Sequence, residues 1–327
     1  MANRLEPTGI PRIPQRRIQK KPNFEVQRNV RKHIRQDRWI YLLILPGLLY
    51  FLIYKYLPMA GLLLSFQDYS PFLGFFNSPW VGLKHFETMF HDPEALRVIL
   101  NTLEISFYQI LFAFPLPIIL ALMINEVRST LYKRTIQSLV YLPHFLSWVV
   151  VVGVFVLFLK EDGLFNNLLG SLFGIRPVSF LTDPGWFKPL IVFQVIWKEA
   201  GWGTIIILAA LAGVNPQLYE AAVIDGANRW QQIRYITLPA IRNTIIILLI
   251  LRLGSVMDTG FEQIFLMLNP FNMETGNVLD TFVYFKGIEQ GDVSFATAVG
   301  LFKGVIGLVL VVIANRMAKK FGEGGIY

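Results

Sequence analysis

Six apolar stretches recur along this 327-residue chain, at about 39–66, 96–125, 137–160, 187–214, 240–268 and 293–317. Each is near or above the ~20 residues that a helix needs to cross a bilayer. Such stretches have no polar face to turn to water, and only helices that satisfy their own backbone hydrogen bonds are stable in lipid as open elements. The expectation is an all-α, polytopic transmembrane bundle of six spans. Composition agrees: 54% of residues are hydrophobic and 16% charged, where a soluble domain carries about 25% charge. The first and fifth stretches are long enough to span with tilt, and Pro115 and Pro117 should kink the second.

Charge is distributed unevenly. Residues 1–38 hold 11 Lys/Arg against 3 Asp/Glu, and the remainder balances. A basic arm directly before an apolar run fits anionic lipid headgroups and the positive-inside rule better than it fits nucleic acid. Val26, Val30 and Ile34 recur among Arg28, Arg31, Lys32 and Arg35, the pattern of an interfacial amphipathic helix. Placing the arm, the 126–136 and 215–239 loops with Arg242, and the tail from Arg316 on one side collects 20 Lys/Arg against 7 Asp/Glu; the opposite loops hold 6 against 11. Both termini are therefore expected in the cytoplasm. The organisation read from this is a cytoplasmic arm (1–38), a transmembrane domain (39–320) and a short cytoplasmic tail (321–327).

The 215–239 loop is more than a connector. Asn215 and Pro216 suit the start of a short helix, Gly226 its left-handed end, and Asn228 with Gln231 a capping box for a second helix; Pro239 should break the pattern before the next span. Its spacing, Glu220-Ala221-Ala222, then Asp225-Gly226, then Ile236-Thr237-Leu238-Pro239, resembles the EAA loop of permease subunits of bacterial ABC importers. From Trp39 onward the chain is most similar to the LplB-like branch of the carbohydrate importers, in the role of the larger maltose permease. Tyr141-Leu142-Pro143-His144-Phe145 and Gly260-Phe261-Glu262-Gln263 are of that type, among other segments. No outer loop exceeds about 31 residues, so the large extracytoplasmic insertion of the maltose subunit is absent.

That resemblance implies a type I ABC importer permease fold in a bacterial inner or plasma membrane. It implies a heterodimer with a second permease, two ATPase subunits and an extracytoplasmic solute-binding protein that delivers an oligosaccharide. Glu220, Ala221, Ala222, Asp225, Gly226, Ile236, Leu238 and Pro239 would form the coupling helix region that docks on the ATPase. The chain contains no Gly-x4-Gly-Lys-Ser/Thr, no HExxH, no Gly-x-Ser-x-Gly and no cysteine. It therefore carries no recognisable ATP, metal or nucleophile site. ATP and Mg are expected on the partner ATPase, with no catalytic residue and no cofactor here.

Ionisable residues within the spans are expensive in lipid and point to protein-lined or wet surfaces. Lys198, Arg252 and Lys303 all lie near mid-bilayer by helical rise, with Glu199 as the only acid there, while Asp258 and Glu262 form an i,i+4 pair toward the outer mouth. Lys55 and Glu104 are candidates for a structural pair. Three cations against one carboxylate suit an acidic, uronate-containing oligosaccharide; alternatively they pair with carboxylates of the second permease or with helix-end carbonyls. Trp197 and Trp202 offer stacking faces for sugar or act as interfacial anchors. His144 reads as a helix-end residue. The competing classes are an ion-gradient secondary transporter, which leaves the EAA loop unexplained, an ABC permease for a neutral oligosaccharide, and a membrane enzyme.

Overall fold

The computed structural model describes residues 38–320. The basic arm, with the helix expected around Val26, Val30 and Ile34, and the tail from 321 lie outside them. The chain divides into two units, Met1–Met59 and Ala60–Tyr327. Helix α1, Arg38–Phe66, is apolar along its 29 residues. From Arg38 to Tyr56 no residue is buried, as expected of a helix that presents hydrophobic side chains all round.

In the second unit a recurring local signature starts the helices. After α2 (Lys84–His91), Asp92 accepts a hydrogen bond from the Glu94 amide at 2.9 Å and Pro93 opens α3, Pro93–Glu126. Asp183 and Pro184 do the same for the helix Pro184–Ala212, and Asn215 and Pro216 for the helix Pro216–Ile224. A side-chain acceptor satisfies an orphan amide, and proline removes another donor that had no partner. Proline inside α3 is accommodated rather than breaking it: Gln109–Ala113 widens into a π-turn, with the Phe114 amide reaching Gln109 at 3.1 Å, just before Pro115.

The third apolar stretch is not one straight span. Helix α4, Thr130–Phe145, meets α5, Trp148–Leu159, at a bend, and the Thr130–Phe145 and Trp148–Phe173 segments differ in direction by 100°. Pro143 lies in the tight turn that ends α4, and the Ser147 hydroxyl caps α5. The short α6, Leu164–Phe173, follows. Helix α7 (Pro184–Ala212) matches its predicted stretch. After α8, Pro216–Ile224, comes α9, Arg229–Gly254.

The fifth stretch also departs from expectation at both ends. Pro239 does not break the helix, because a π-turn at Ile233–Thr237 precedes it and the Leu238 amide bonds to the Ile233 carbonyl, so that α9 begins at Arg229. At the other end α9 stops at Gly254. Residues 255–260 are non-helical, Gly260 takes φ 101°, and a separate α10 runs Phe261–Met267. The carbonyls freed by this interruption are taken up inside the bundle: Ser106 Oγ donates to Val256 and Gln109 Nε2 donates to Thr259 at 3.3 Å. That is the condition for irregular backbone within an apolar bundle. Helices α11, Leu279–Tyr284, and α12, Val293–Lys320, complete the unit. Among the described residues five helices are long and apolar enough to cross a membrane, or six if the bent α4–α5 pair counts as one.

Three buried apolar clusters tie these helices together. Ile105, Val152, Ile191 and Ile264 join α3, α5, α7 and α10. Met89, Val98, Phe282 and Val299 join α2, α3, α11 and α12, and Ala121, Ile207 and Ile241 join α3, α7 and α9. Where α7 crosses the end of α4, a Cβ on Gly201 would lie 2.0 Å from the Val140 carbonyl oxygen. Backbone faces backbone there, a crossing that only glycine permits. This contact fixes the turn carrying His144 against the middle of α7.

Candidate functional site

Two regions collect the residues singled out in the sequence. The first is the 215–239 segment. Asn215 accepts from the Gln217 amide at 3.0 Å; Asn228 and Gln231 bond reciprocally at 2.7 and 2.9 Å, the expected capping box. Gly226, at φ 79°, makes the left-handed turn between α8 and α9. Tyr219 and Thr237 hydroxyls meet at 3.0 Å, and Arg229 pairs with Glu126 at 3.5 Å, so the hairpin is held both to α9 and to the end of α3. Glu220, Ala221, Asp225, Gly226 and Pro239 are exposed, whereas Ala222, Ile236 and Leu238 are half-buried and pack inward. Beside them Val223 (61%), Ile224 (85%) and Trp230 (67%) stand out as exposed large apolar side chains. A rigid, capped hairpin with an apolar tip and an exposed carboxylate has the anatomy of a docking element.

The second region is a cavity of about 620 Å³ between α3, α7 and α9. Its walls are mainly apolar, and its polar groups are few: Gln109 from α3, Glu199 and Trp202 from α7, Arg252 from α9, and Ser255 just after it. An apolar cleft with a few convergent polar groups is the usual form of a small-molecule site. Three of the eight pathway residues named from sequence, Glu199, Trp202 and Arg252, therefore share one cavity.

The other five do not, and each has a physical reason. Lys198 is buried and points away: its ammonium donates to the His144 carbonyl at 2.7 Å, lies 3.5 Å from Glu199 and sits 5.4 Å over the Trp148 ring. It neutralises the end of the broken span. Lys303 is shared by Asp258 and Asp280. Asp280 lies in α11, which is too short to register as a span in the sequence. The ratio of three free cations to one acid is thereby corrected, since two of the three are paired within the chain. Asp258 and Glu262 do not share a helical face; Asp258 lies in the non-helical stretch before Gly260, and Glu262 is exposed in the first turn of α10. Trp197 lines a different, almost wholly apolar cavity of about 670 Å³ with Phe155 and Trp186. Glu104, expected to serve Lys55, is already taken by Lys188 at 2.5 Å.

Arg252 is the exception among the cations. Its guanidinium donates to the Gln109 side-chain carbonyl. Asp258, the carboxylate whose field reaches it, is committed to Lys303. Among the described residues no carboxylate comes within ion-pair distance of Arg252. Gln109 and His144 are site residues that sequence reasoning missed or set aside. A lone glutamine amid the apolar run of α3 was the available signal for the first. For the second it was the Leu-Pro-His-Phe turn, which places Nδ1 2.8 Å from Glu199 and stacks the imidazole on Trp202 at 4.5 Å and 7°.

Comparison with known proteins agrees with this geometry. Residues 113–323 match the family described as binding-protein-dependent transport system inner membrane component. The chain is 54% identical to protein LplB of Bacillus subtilis (strain 168) over 90% of its length and 92% of that protein's. It is 52% identical to the polygalacturonan/rhamnogalacturonan transport system permease protein YteP of the same organism, over 89% of this chain and 91% of that one. A chain of the bacterial alginate ABC transporter, solved in complex with alginate pentasaccharide-bound periplasmic protein, superposes with TM-score 0.84 and 44% identity, covering 90% of this chain and 99% of its own. The fold is that of type I ABC importer permeases, and the chain is a transport subunit rather than an enzyme. It belongs to the family of binding-protein-dependent transport system inner membrane components.

Proposed function

We propose that this chain is one of two different permeases in an ATP-driven importer of acidic, uronate-containing oligosaccharides. A solute-binding protein delivers the sugar to the outer face, and two ATPase subunits, which carry ATP and Mg, engage the 215–239 hairpin from the cytoplasm. The observation that carries the acidic assignment is Arg252: a cation in the wall of the 620 Å³ cavity, aimed by Gln109 and left without a carboxylate at ion-pair distance among the described residues. A charge held in an apolar bundle against a neutral side-chain amide is costly unless a ligand completes it. Trp202 adds an aromatic face for the sugar ring. Relatives that include a polygalacturonan/rhamnogalacturonan permease and a chain of an alginate transporter support the same class. Excess Lys/Arg on the hairpin side supports its cytoplasmic placement.

The test is ATP hydrolysis by the complex purified through this chain and reconstituted in lipid. An ATPase chain should co-purify, and binding protein loaded with a uronate oligosaccharide should raise hydrolysis several-fold over unloaded protein. Stimulation only by neutral oligosaccharides would reverse the acidic assignment. Uptake by ATP-free vesicles on an imposed ion gradient would place the protein among secondary transporters.

A further inference from the structure

We infer that His144 is a specificity-determining residue: its protonation sets the charge that the wall of the α3–α7–α9 cavity presents to an acidic sugar. The inference rests on the acidic-oligosaccharide reading above and concerns the same cavity. His144 does not itself line it, but holds two residues that do. Its Nδ1 lies 2.8 Å from Glu199 Oε2, and its ring is stacked flat on Trp202. The opposite carboxylate oxygen, Glu199 Oε1, lies 3.5 Å from Lys198, whose ammonium is already bonded to the His144 carbonyl.

The charges at this elbow follow directly. The groups facing the imidazole from α7 are Glu199 and Lys198; α5 contributes the Trp148 ring under Lys198, and Tyr141 is the neighbouring titratable group on the His144 segment itself. With a neutral imidazole, Lys198 and Glu199 cancel and the elbow carries no net charge. With an imidazolium it carries one positive charge, added to that of Arg252 across the cavity. Histidine is the side chain whose ordinary titration, near pH 6.5, falls in the physiological range. A single charge changed within a low-dielectric cavity alters the affinity of an anionic ligand by about three- to tenfold and leaves a neutral ligand unaffected.

Equilibrium binding to the purified complex, without binding protein, separates this from a purely mechanical role. The probes are a galacturonate oligosaccharide and its neutral methyl ester, titrated from about pH 5.5 to pH 8.5 so as to bracket imidazole titration. In the wild-type complex the acid should bind about three- to tenfold more weakly at the alkaline end, while the ester is flat. His144→Gln should abolish that dependence and fix the weaker affinity at every pH. His144→Gln combined with Glu199→Gln leaves Lys198 unopposed, and should restore tight binding of the acid at every pH. Equal loss for both probes in His144→Gln would mean that His144 only props Trp202, and a double variant no tighter than the single one would overturn the charge argument. Wild-type complex that prefers the ester would sink the acidic reading and this inference together; a wild-type preference for the acid with a pH profile unchanged by His144→Gln sinks the inference alone.

Discussion

Replacing Glu220 with alanine, or Gly226 with valine, is expected to lower uptake by more than about tenfold while the permease still reaches the membrane and the complex still hydrolyses ATP. Glu220 is exposed on α8 and has no ion pair or side-chain hydrogen bond within the chain among the described residues, so its loss removes nothing from the fold. The carboxylate is therefore free for a basic group of a partner; losing that charge-assisted contact costs the coupling step about 1.5–3 kcal/mol, tenfold or more, while the exposed Val223, Ile224 and Trp230 still hold the subunits together. Gly226 acts differently. At φ 79° a β-branched residue is strained by roughly 1–2 kcal/mol, which re-aims α8 relative to α9 and with it the exposed Val223 and Ile224. Vesicle uptake and ATP hydrolysis measured side by side distinguish uncoupling from failure to assemble. Normal uptake by both variants would remove the hairpin from the mechanism.

Neutralising the cavity cation should have the second large effect, and a selective one. Arg252→Gln is expected to weaken handling of an acidic oligosaccharide by about ten- to a hundredfold, the loss of a charge-assisted hydrogen bond of roughly 1.5–3 kcal/mol. A neutral ligand should be affected little. Lys303→Gln should instead act on both alike, because it strands Asp258 and Asp280 and loosens the junction between the 255–260 stretch and α11. Concentration dependence of uptake for charged and uncharged sugars separates the two variants. Equal responses to Arg252→Gln would make that arginine structural as well.

Much of this architecture was legible because it rests on local chemistry. The caps at Asp92, Asp183 and Asn215, each followed by proline, and the Asn228–Gln231 box are encoded in two to four consecutive residues. The α7 and α12 spans end close to where hydropathy places them. The errors share one cause: hydropathy reports composition, not continuity. Residues 240–268 read as one predominantly apolar stretch, yet Gly254 and the Val256 and Thr259 carbonyls held by Ser106 and Gln109 divide them into a long helix and a separate short one. Partners 150 residues away decide that break, and no window along the chain contains them. The cavity had the same difficulty. Arg252, Glu199 and Trp202 were identifiable singly, but which cations were already neutralised depended on Asp280, outside the six apolar stretches, and on the backbone carbonyl of His144, a partner that no count of side-chain charges contains.

If the α8–α9 hairpin is the cytoplasmic contact through which a separate ATPase drives this permease, its tip is reachable only from inside the cell. Because the chain has no cysteine, Ile224→Cys, at a position 85% exposed on that hairpin, supplies a single thiol for a membrane-impermeant reagent. Labelling is expected only after the cells are opened, and should be lost when the ATPase subunits are bound. Labelling of Ile224→Cys in intact cells would contradict that placement.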